Sequence, residues 1–268
     1  MSSDQENNAK YRQVLERFKI LLPGIPARTN RGWLGYCTVV LFRLKNSWAL
    51  FDTGHYSDRA QLLAALPSVN LKPRDIKHVF LSHLHFDHIL NLSLFPDAAV
   101  IVSKAELNYA EQVVAGAIED PAIPEVWPAL FEGREIQTIE GATAIDDDLE
   151  VAVLPGHTPG GLVLFCRKPA AAAVCGDVIK NGWDFLTGTA APSATIDSEQ
   201  QASTQNVIAR AEVIIPGHDR PFVIREGGLE YLNDFTWKIQ GNIFPRPRDE
   251  TLLDLYVAEG FYQRCCDK

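Results

Sequence analysis

The segment LSHLHFDHI, residues 81–89, places His83, His85, Asp87 and His88 within six residues, directly after a β-rich run. Alternate residues of an extended stretch point the same way, so His83 and His85 can face one ion together. Asp87 and His88 lie in the turn beyond and can serve a second ion beside the first. Imidazole and carboxylate are the ligands that borderline divalent ions accept. The chain has seven histidines, and three fall in this window, which argues against a polar turn holding them by chance. Four adjacent ligands cannot enclose two ions. Such a chain has to fold so that distant segments deliver more ligands to the same place.

Three segments can do so. LPGHTPGG ends a β-rich run at His157, AAAVCGD ends one at Asp177, and EVIIPGH ends one at His218. Each is a hydrophobic run, then a tight glycine-containing turn, then one ligand-type side chain. Glycine permits the sharp turn and leaves space beside an ion.

The remaining pattern supplies the strands that such a site needs. TVVLFRL and SWALFDTG read as a hairpin joined by Lys45-Asn46. Residues 57–66 read as a helix capped by Ser57 and closed by Pro67. HVFLS and AAVIVS are strands, and Ser103 with Glu106 forms a capping box for a helix to about Ala115. Residues 116–133 hold three prolines and Trp127 and read as a loop. REIQTIE, LEVAVL, GLVLFCR and AAAVCG follow as strands, 180–195 as a loop, 198–211 as a helix, and VIIPG and PFVIR as strands. Residues 1–32 form a lead-in, with KYRQVLERFKILL as a short helix or strand. Residues 229–268 read as mainly helical, broken at FPRPR. Two clusters of hairpin-like strands interrupted by helices favour two mixed sheets packed together with helices outside, an α+β arrangement in one domain spanning 1–268. No G-x-G-x-x-G, P-loop or G-x-S-x-G motif is present, which removes dinucleotide, P-loop and serine-nucleophile readings.

Composition narrows the function classes further. Hydrophobic residues at 46% and charged residues at 22% suit a globular chain. No run of eighteen apolar residues exists, so no membrane-spanning helix is expected. The polar start MSSDQENNAKYRQ argues against a secretory signal. Five cysteines with no C-x-x-C read as reduced thiols, which places the chain in the cytoplasm. Lys plus Arg is 25 against 34 Asp plus Glu, a net charge of −9 that argues against nucleic acid as a partner.

The order of these motifs resembles the metallo-β-lactamase superfamily, whose pattern is H-x-H-x-D-H, then a His, an Asp and a His. FDTG at 51–54 matches an early strand-end motif of that family. The resemblance covers roughly residues 35–225 and implies a four-layer αββα sandwich with the site between the sheets at one edge. It also implies that His83, His85 and His157 hold one metal, that Asp87, His88 and His218 hold the other, and that Asp177 bridges them. The full ligand set resembles the glyoxalase II and acyl-homoserine-lactone lactonase branch, and small metallo-β-lactamase-domain-containing proteins. Lactonases of that class carry a tyrosine three residues after the bridging Asp, where this chain has Lys180. Ile89-Leu90 likewise replaces their usual small residues.

The expected cofactor is two divalent ions, zinc first, with iron or manganese also compatible with His and Asp ligands. The expected activity is hydrolysis of a small ester, lactone or thioester by metal-bound hydroxide attacking a carbonyl, with Asp87 and Asp177 as catalytic carboxylates that help to move the proton. Asp52 is expected to orient a ligand histidine. Lys180, Trp183 and Phe86 are candidate contacts to a small-molecule substrate, His55 a cleft neighbour or surface turn, and Trp127 a lid. Tyr56, Trp127, Phe131, Trp183 and Phe185 are expected to give the cleft an aromatic lining. A homodimer is left open by the resemblance. The competing readings are a metallo-nuclease or phosphodiesterase of the same fold, a redox or sulfur-handling member, and a binding protein with a vestigial site.

Overall fold

The computed structural model describes residues 3–30, 32–188, 197–242, 250–257 and 260–263. The N-terminal lead-in is a helix, Ser3–Arg17, followed by strand Lys19–Leu22. That strand is the edge of a six-stranded sheet, which continues through Val39–Leu44, Ser47–Phe51, Ile76–Phe80, Ala99–Ser103 and Ile136–Ile139. The hairpin expected about Lys45 forms with Leu44 opposite Ser47, and Lys45 takes a positive φ of 52°.

A second sheet has eight strands. In spatial order they are Gly260–Gln263, Gly228–Tyr231, Phe222–Arg225, Val213–Ile215, Ala172–Val174, Leu162–Cys166, Leu149–Val153 and Ala142–Ala144. Both sheets mix parallel and antiparallel pairings.

Strand periodicity builds the layers. Val40, Phe42, Phe51, Phe80 and Ile101 on the first sheet pack against Leu149, Val151, Leu164, Val174, Val213 and Ile215 on the second. Their neighbours Leu41, Leu50, Val79, Val100 and Val102 point outward onto helical residues including Leu62, Leu66, Tyr109 and Ala110. On the far side, Val163, Phe165, Ala173 and Ile214 pack under Val207, Phe185 and Leu186 of helices Asp197–Arg210 and Gly182–Thr187. Hydrophobic residues on both faces of central strands require cover on both sides. The result is the expected four-layer order of helix, sheet, sheet and helix.

The topology also gathers the ligand segments. Ser47–Phe51, Ile76–Phe80 and Ala99–Ser103 run parallel, as do Ala172–Val174 and Val213–Ile215. Leu149–Val153 shares that second direction, being separated from Ala172–Val174 by the antiparallel Leu162–Cys166. The C-terminal ends of these strands therefore open on one edge of the sandwich.

Several local expectations are corrected. Residues 229–262 are not mainly helical: they contain strands Gly228–Tyr231, Phe235–Asn242, Glu250–Val257 and Gly260–Gln263. Phe235, Trp237 and Ile239 alternate with Thr236, Lys238 and Gln240, a period of two that suits the paired ribbon formed with Glu250–Val257. FPRPR lies outside the described residues. Residues 180–195 are not all loop, because the Asn181 side chain accepts the Asp184 N–H and starts helix Gly182–Thr187, which ends at Gly188 in the left-handed region. Residues 116–133 likewise include a short helix, Trp127–Phe131. Helix Arg59–Ala65 is preceded by a 3-10 turn capped not by Ser57 but by His55, whose side chain accepts the Ser57 N–H, and Pro67 sits inside a following 3-10 turn. The free cysteines Cys37, Cys166 and Cys175 are buried, and Cys265 and Cys266 lie outside the described residues.

Candidate metal centre

His83, His85, Asp87 and His88 sit in the turn and short helix after Ile76–Phe80. His157, Asp177 and His218 follow the strands Leu149–Val153, Ala172–Val174 and Val213–Ile215. All seven side chains are buried at one place. Ligand-type atoms of His83, His85 and His157 lie within 4.8 Å of one another, and so do those of Asp87, His88 and His218, and of His83, His88 and Asp177. Asp177 stands between the groups. Its Oδ1 is 3.4 Å from His88 Nε2 and 3.3 Å from His218 Nε2, while its Oδ2 is 3.3 Å from His157 Nε2. Asp87 Oδ2 is 3.3 Å from His218 Nε2.

The outer hydrogen bonds decide which histidine nitrogens face the centre. Ser82 donates its hydroxyl proton to Asp52 Oδ2 at 2.8 Å, so at 2.9 Å it accepts from His83 Nδ1–H. His88 Nδ1 donates to the same Asp52 oxygen at 2.8 Å, as expected for Asp52. His218 Nδ1 donates to the Tyr36 carbonyl at 2.9 Å. Each proton placed outward leaves Nε2 bare and inward, the form that binds metal. His83 Nε2, His88 Nε2, His218 Nε2 and Asp177 Oδ1 are buried with no hydrogen-bond partner among the described residues. His85 Nδ1 and His157 Nε2 face each other at 3.0 Å. Buried acceptors left bare and converging are costly unless a cation meets them, so these residues fit divalent ions.

The electrostatics agree. Burial pushes the pKa of His83 and of His157 well below the ordinary value, which keeps both neutral as ligands must be. Burial opposes charge on Asp177 as well, but Lys180, His218, His88 and His157 hold its carboxyl well below the usual range. His88 differs: burial works against its charge, yet Cys37, Asp52, Asp87 and Asp177 raise it well above the ordinary value, so a metal at Nε2 would have to displace a proton there. The carboxylates of Asp52, Asp87 and Asp177 around it favour a cation.

Backbone geometry makes room for the cluster. Gly176 has φ 49°, and a side chain there would meet Ser82 Cβ at 2.4 Å. Asp52 takes a left-handed φ of 60° while its Oδ1 accepts the Ser82 N–H at 2.7 Å.

Two further carboxylates were not singled out as site residues from sequence. Ser103 Oγ accepts the Glu106 N–H, half of the expected capping box, but the Glu106 carboxylate instead accepts Leu84 N–H at 2.9 Å and Gly160 N–H at 3.2 Å. It thereby ties the 81–89 segment to the His157 turn. Asp120, in the 116–133 segment, accepts from His85 Nε2 at 3.0 Å. The helix-start spacing and the acidic pair Glu119-Asp120 were visible, but neither revealed these distant partners.

The outer candidates divide. Lys180 Nζ donates to Asp177 Oδ2 at 2.7 Å and lies 4.7 Å from the centre of the Trp33 ring, which itself meets His218 edge-on. Phe86 is half-buried against His55, whose ring also meets Tyr36. Trp183 is 66% exposed. The expected aromatic lining is corrected for Trp127 and Phe131, which are buried in the outer core of the first sheet, whereas Phe185 packs on Phe222 and also borders a cavity shared with Asp177 and Lys180. Trp127 is therefore no lid. Hydrophobic sequence alone does not separate a cleft wall from core, and the aromatic groups around the ligand segments include Trp33, Tyr36, His55 and Phe86.

A family model described as metallo-beta-lactamase superfamily matches residues 32–218. The chain is similar to Metallo-beta-lactamase domain-containing protein 1 of Xenopus laevis, 33% identical over 186 residues that cover 67% of this chain and 70% of that protein. The aligned stretch spans 60% to 70% of the length of that protein and its mammalian counterparts. It is also similar to N-acyl homoserine lactonase of Bacillus cereus, 24% identical over 170 residues covering 61% of this chain and 64% of that enzyme. In structure it resembles AidC, a dizinc quorum-quenching lactonase, with TM-score 0.58 and 20% identity over 73% of this chain and 78% of AidC.

Proposed function

The chain belongs to the metallo-beta-lactamase superfamily and is an enzyme with metal-dependent hydrolases among its homologues, and from that premise we propose that it hydrolyses a small ester, lactone or thioester at a two-metal centre. His83, His85 and His157 would hold one divalent ion and Asp87, His88 and His218 the other, with Asp177 placed between the two groups. Zinc suits this donor set, and iron or manganese is compatible with it. The observation that carries the reading is the convergence of bare, buried histidine nitrogens about Asp177. Divalent ions bound there would supply Lewis acidity, lowering the pKa of water and polarising a carbonyl oxygen.

The chain's own groups supply the rest. Asp87 and Asp177 offer carboxylate oxygens that accept the proton of the attacking water. Lys180, beside Asp177, offers an N–H donor to the substrate's polar end. Phe86, His55, Tyr36 and Trp33 form an aromatic surround suited to an acyl chain or ring. A nucleic-acid phosphodiester needs several cations along its path, and the net charge of −9 does not favour that substrate.

The test is a hydrolysis panel of lactones, thioesters, aryl esters, β-lactams and phosphodiesters on metal-analysed protein. A carbonyl substrate is expected to have the highest kcat/KM. A phosphodiester or RNA turned over well above every ester, lactone and thioester would overturn the proposal.

A further inference from the structure

We infer that Asp120 and Tyr109 are positioning residues that hold His85 in the one tautomer able to bind metal, which makes the 116–133 segment part of the metal centre. The inference rests on the two-metal reading above.

Asp120 is almost enclosed, and every contact of its carboxylate is a donor. Oδ1 accepts the Ala122 N–H at 2.9 Å, and Oδ2 accepts the Tyr109 hydroxyl at 2.7 Å together with His85 Nε2 at 3.0 Å. An ionised carboxylate accepts and never donates. His85 Nε2 must therefore carry the ring proton, and His85 Nδ1 is bare. That bare atom is the one turned inward, 3.0 Å from His157 Nε2. Among the metal-one histidines, His83 is set by Ser82 and Asp52, which belong to the first sheet's own strand ends. His85 has no such support there and takes it from a segment 35 residues away.

The support is itself anchored. Phe86 N–H donates to the Ala122 carbonyl at 2.8 Å, so the 116–133 segment grips the ligand turn at two consecutive residues. Tyr109 comes from helix Lys104–Val114, and its ring is buried in the core beneath that helix. A carboxylate needed only to close its own turn would be served by Ala122. Here the shared oxygen joins a core tyrosine to a ligand histidine, which fixes the imidazole in plane and proton position.

The experiment uses metal-free full-length protein, wild type, Asp120→Ala and Tyr109→Phe, titrated with zinc against a chromogenic chelator. The His85 tautomer is read by nitrogen-15 NMR on the same samples. In wild type, two zinc equivalents bind and His85 is protonated at Nε2. In Asp120→Ala, one equivalent is expected to weaken by about 10- to 100-fold, the usual effect of losing an outer partner of a ligand, and His85 is expected to populate both tautomers. Tyr109→Phe removes one hydroxyl from a retained ring and should shift both readouts in the same direction, which keeps the test open if Asp120→Ala fails to fold. Wild-type zinc affinity and tautomer in a folded Asp120→Ala variant, or in Tyr109→Phe should the alanine variant not fold, overturn this inference alone. A wild-type protein that binds no zinc overturns the two-metal reading and this inference with it.

Discussion

Gly217 lies against Asp177 so closely that a methyl group on its Cα would sit 2.3 Å from Asp177 Oδ1. The same methyl would meet the Gly176 carbonyl oxygen at 2.6 Å, so neither the side chain nor the adjacent turn can yield cheaply. The absence of a side chain at 217 is thus what allows Asp177 its central place. Gly217→Ala should displace that carboxylate and lower kcat/KM by on the order of 100-fold, the cost of misplacing a reacting group by about 1 Å. Steady-state kinetics and a circular dichroism spectrum check this. Unchanged kinetics in a folded variant would remove Asp177 from the centre of the chemistry.

Metal analysis of protein expressed with ample metal should return about two divalent ions per chain. Ions that bind only the folded state stabilise it by mass action, about 4 kcal/mol when free metal exceeds Kd by about 1,000-fold. For a chain of this size that corresponds to a melting temperature on the order of 10 °C lower after chelation. Elemental analysis and thermal melts with and without chelator measure both quantities, and one ion or fewer would contradict the paired site.

Asp177→Ala should damage activity far more than His55→Ala. Asp177 is buried among His88, His157, His218 and Lys180, whereas His55 stands at the half-exposed mouth beside Phe86 and Tyr36. Loss of at least about 100-fold in kcat is expected for Asp177→Ala, with a much smaller change for His55→Ala. Equal losses in two folded variants would contradict the ligand assignment.

Asp58 gives a pH-dependent expectation. Burial raises its carboxyl from 3.8 to about 6, against the opposing hydrogen bond from the His55 N–H, and Asp87 adds to the rise. The folded state therefore prefers the protonated form. Stability linked to Asp58 is present below its unfolded value and is lost as pH rises through about 6. Asp58→Asn cannot ionise, so its melting temperature should gain on wild type between pH of about 4 and about 6 and hold that lead above. Melts across this range decide it; a lead that shrinks with rising pH would mean that Asp58 is stabilised as a carboxylate.

How much of this was legible in sequence depends on where each partner lies. His83, His85, Asp87 and His88 are close in sequence, and the two hydrophobic patterns around them have local periods. The Gly-ligand endings at His157, Asp177 and His218 are equally local. Strands with two hydrophobic faces call for cover on both sides, and the four-layer order itself came from the resemblance of the ligand motifs. The C-terminal strands were missed because Leu229 onward offers short apolar runs that suit a helix or a strand, and pairing across 235–257 settles the choice.

By itself the sequence determined the identity and order of the seven side chains that meet at the sandwich edge, because few residue types can hold a metal and their turns are built from neighbouring residues. Only the tertiary structure decided how those side chains are held. His85 depends on Asp120 35 positions away, Glu106 joins Leu84 to Gly160 54 positions away, and His218 leans on Tyr36 across 182 positions. It also decided that Trp127 and Phe131 are core while Trp33 meets His218 and Lys180 and Phe86 meets His55. A hydrogen bond or an aromatic contact is a distance in space, and no local pattern records which distant atom will close it.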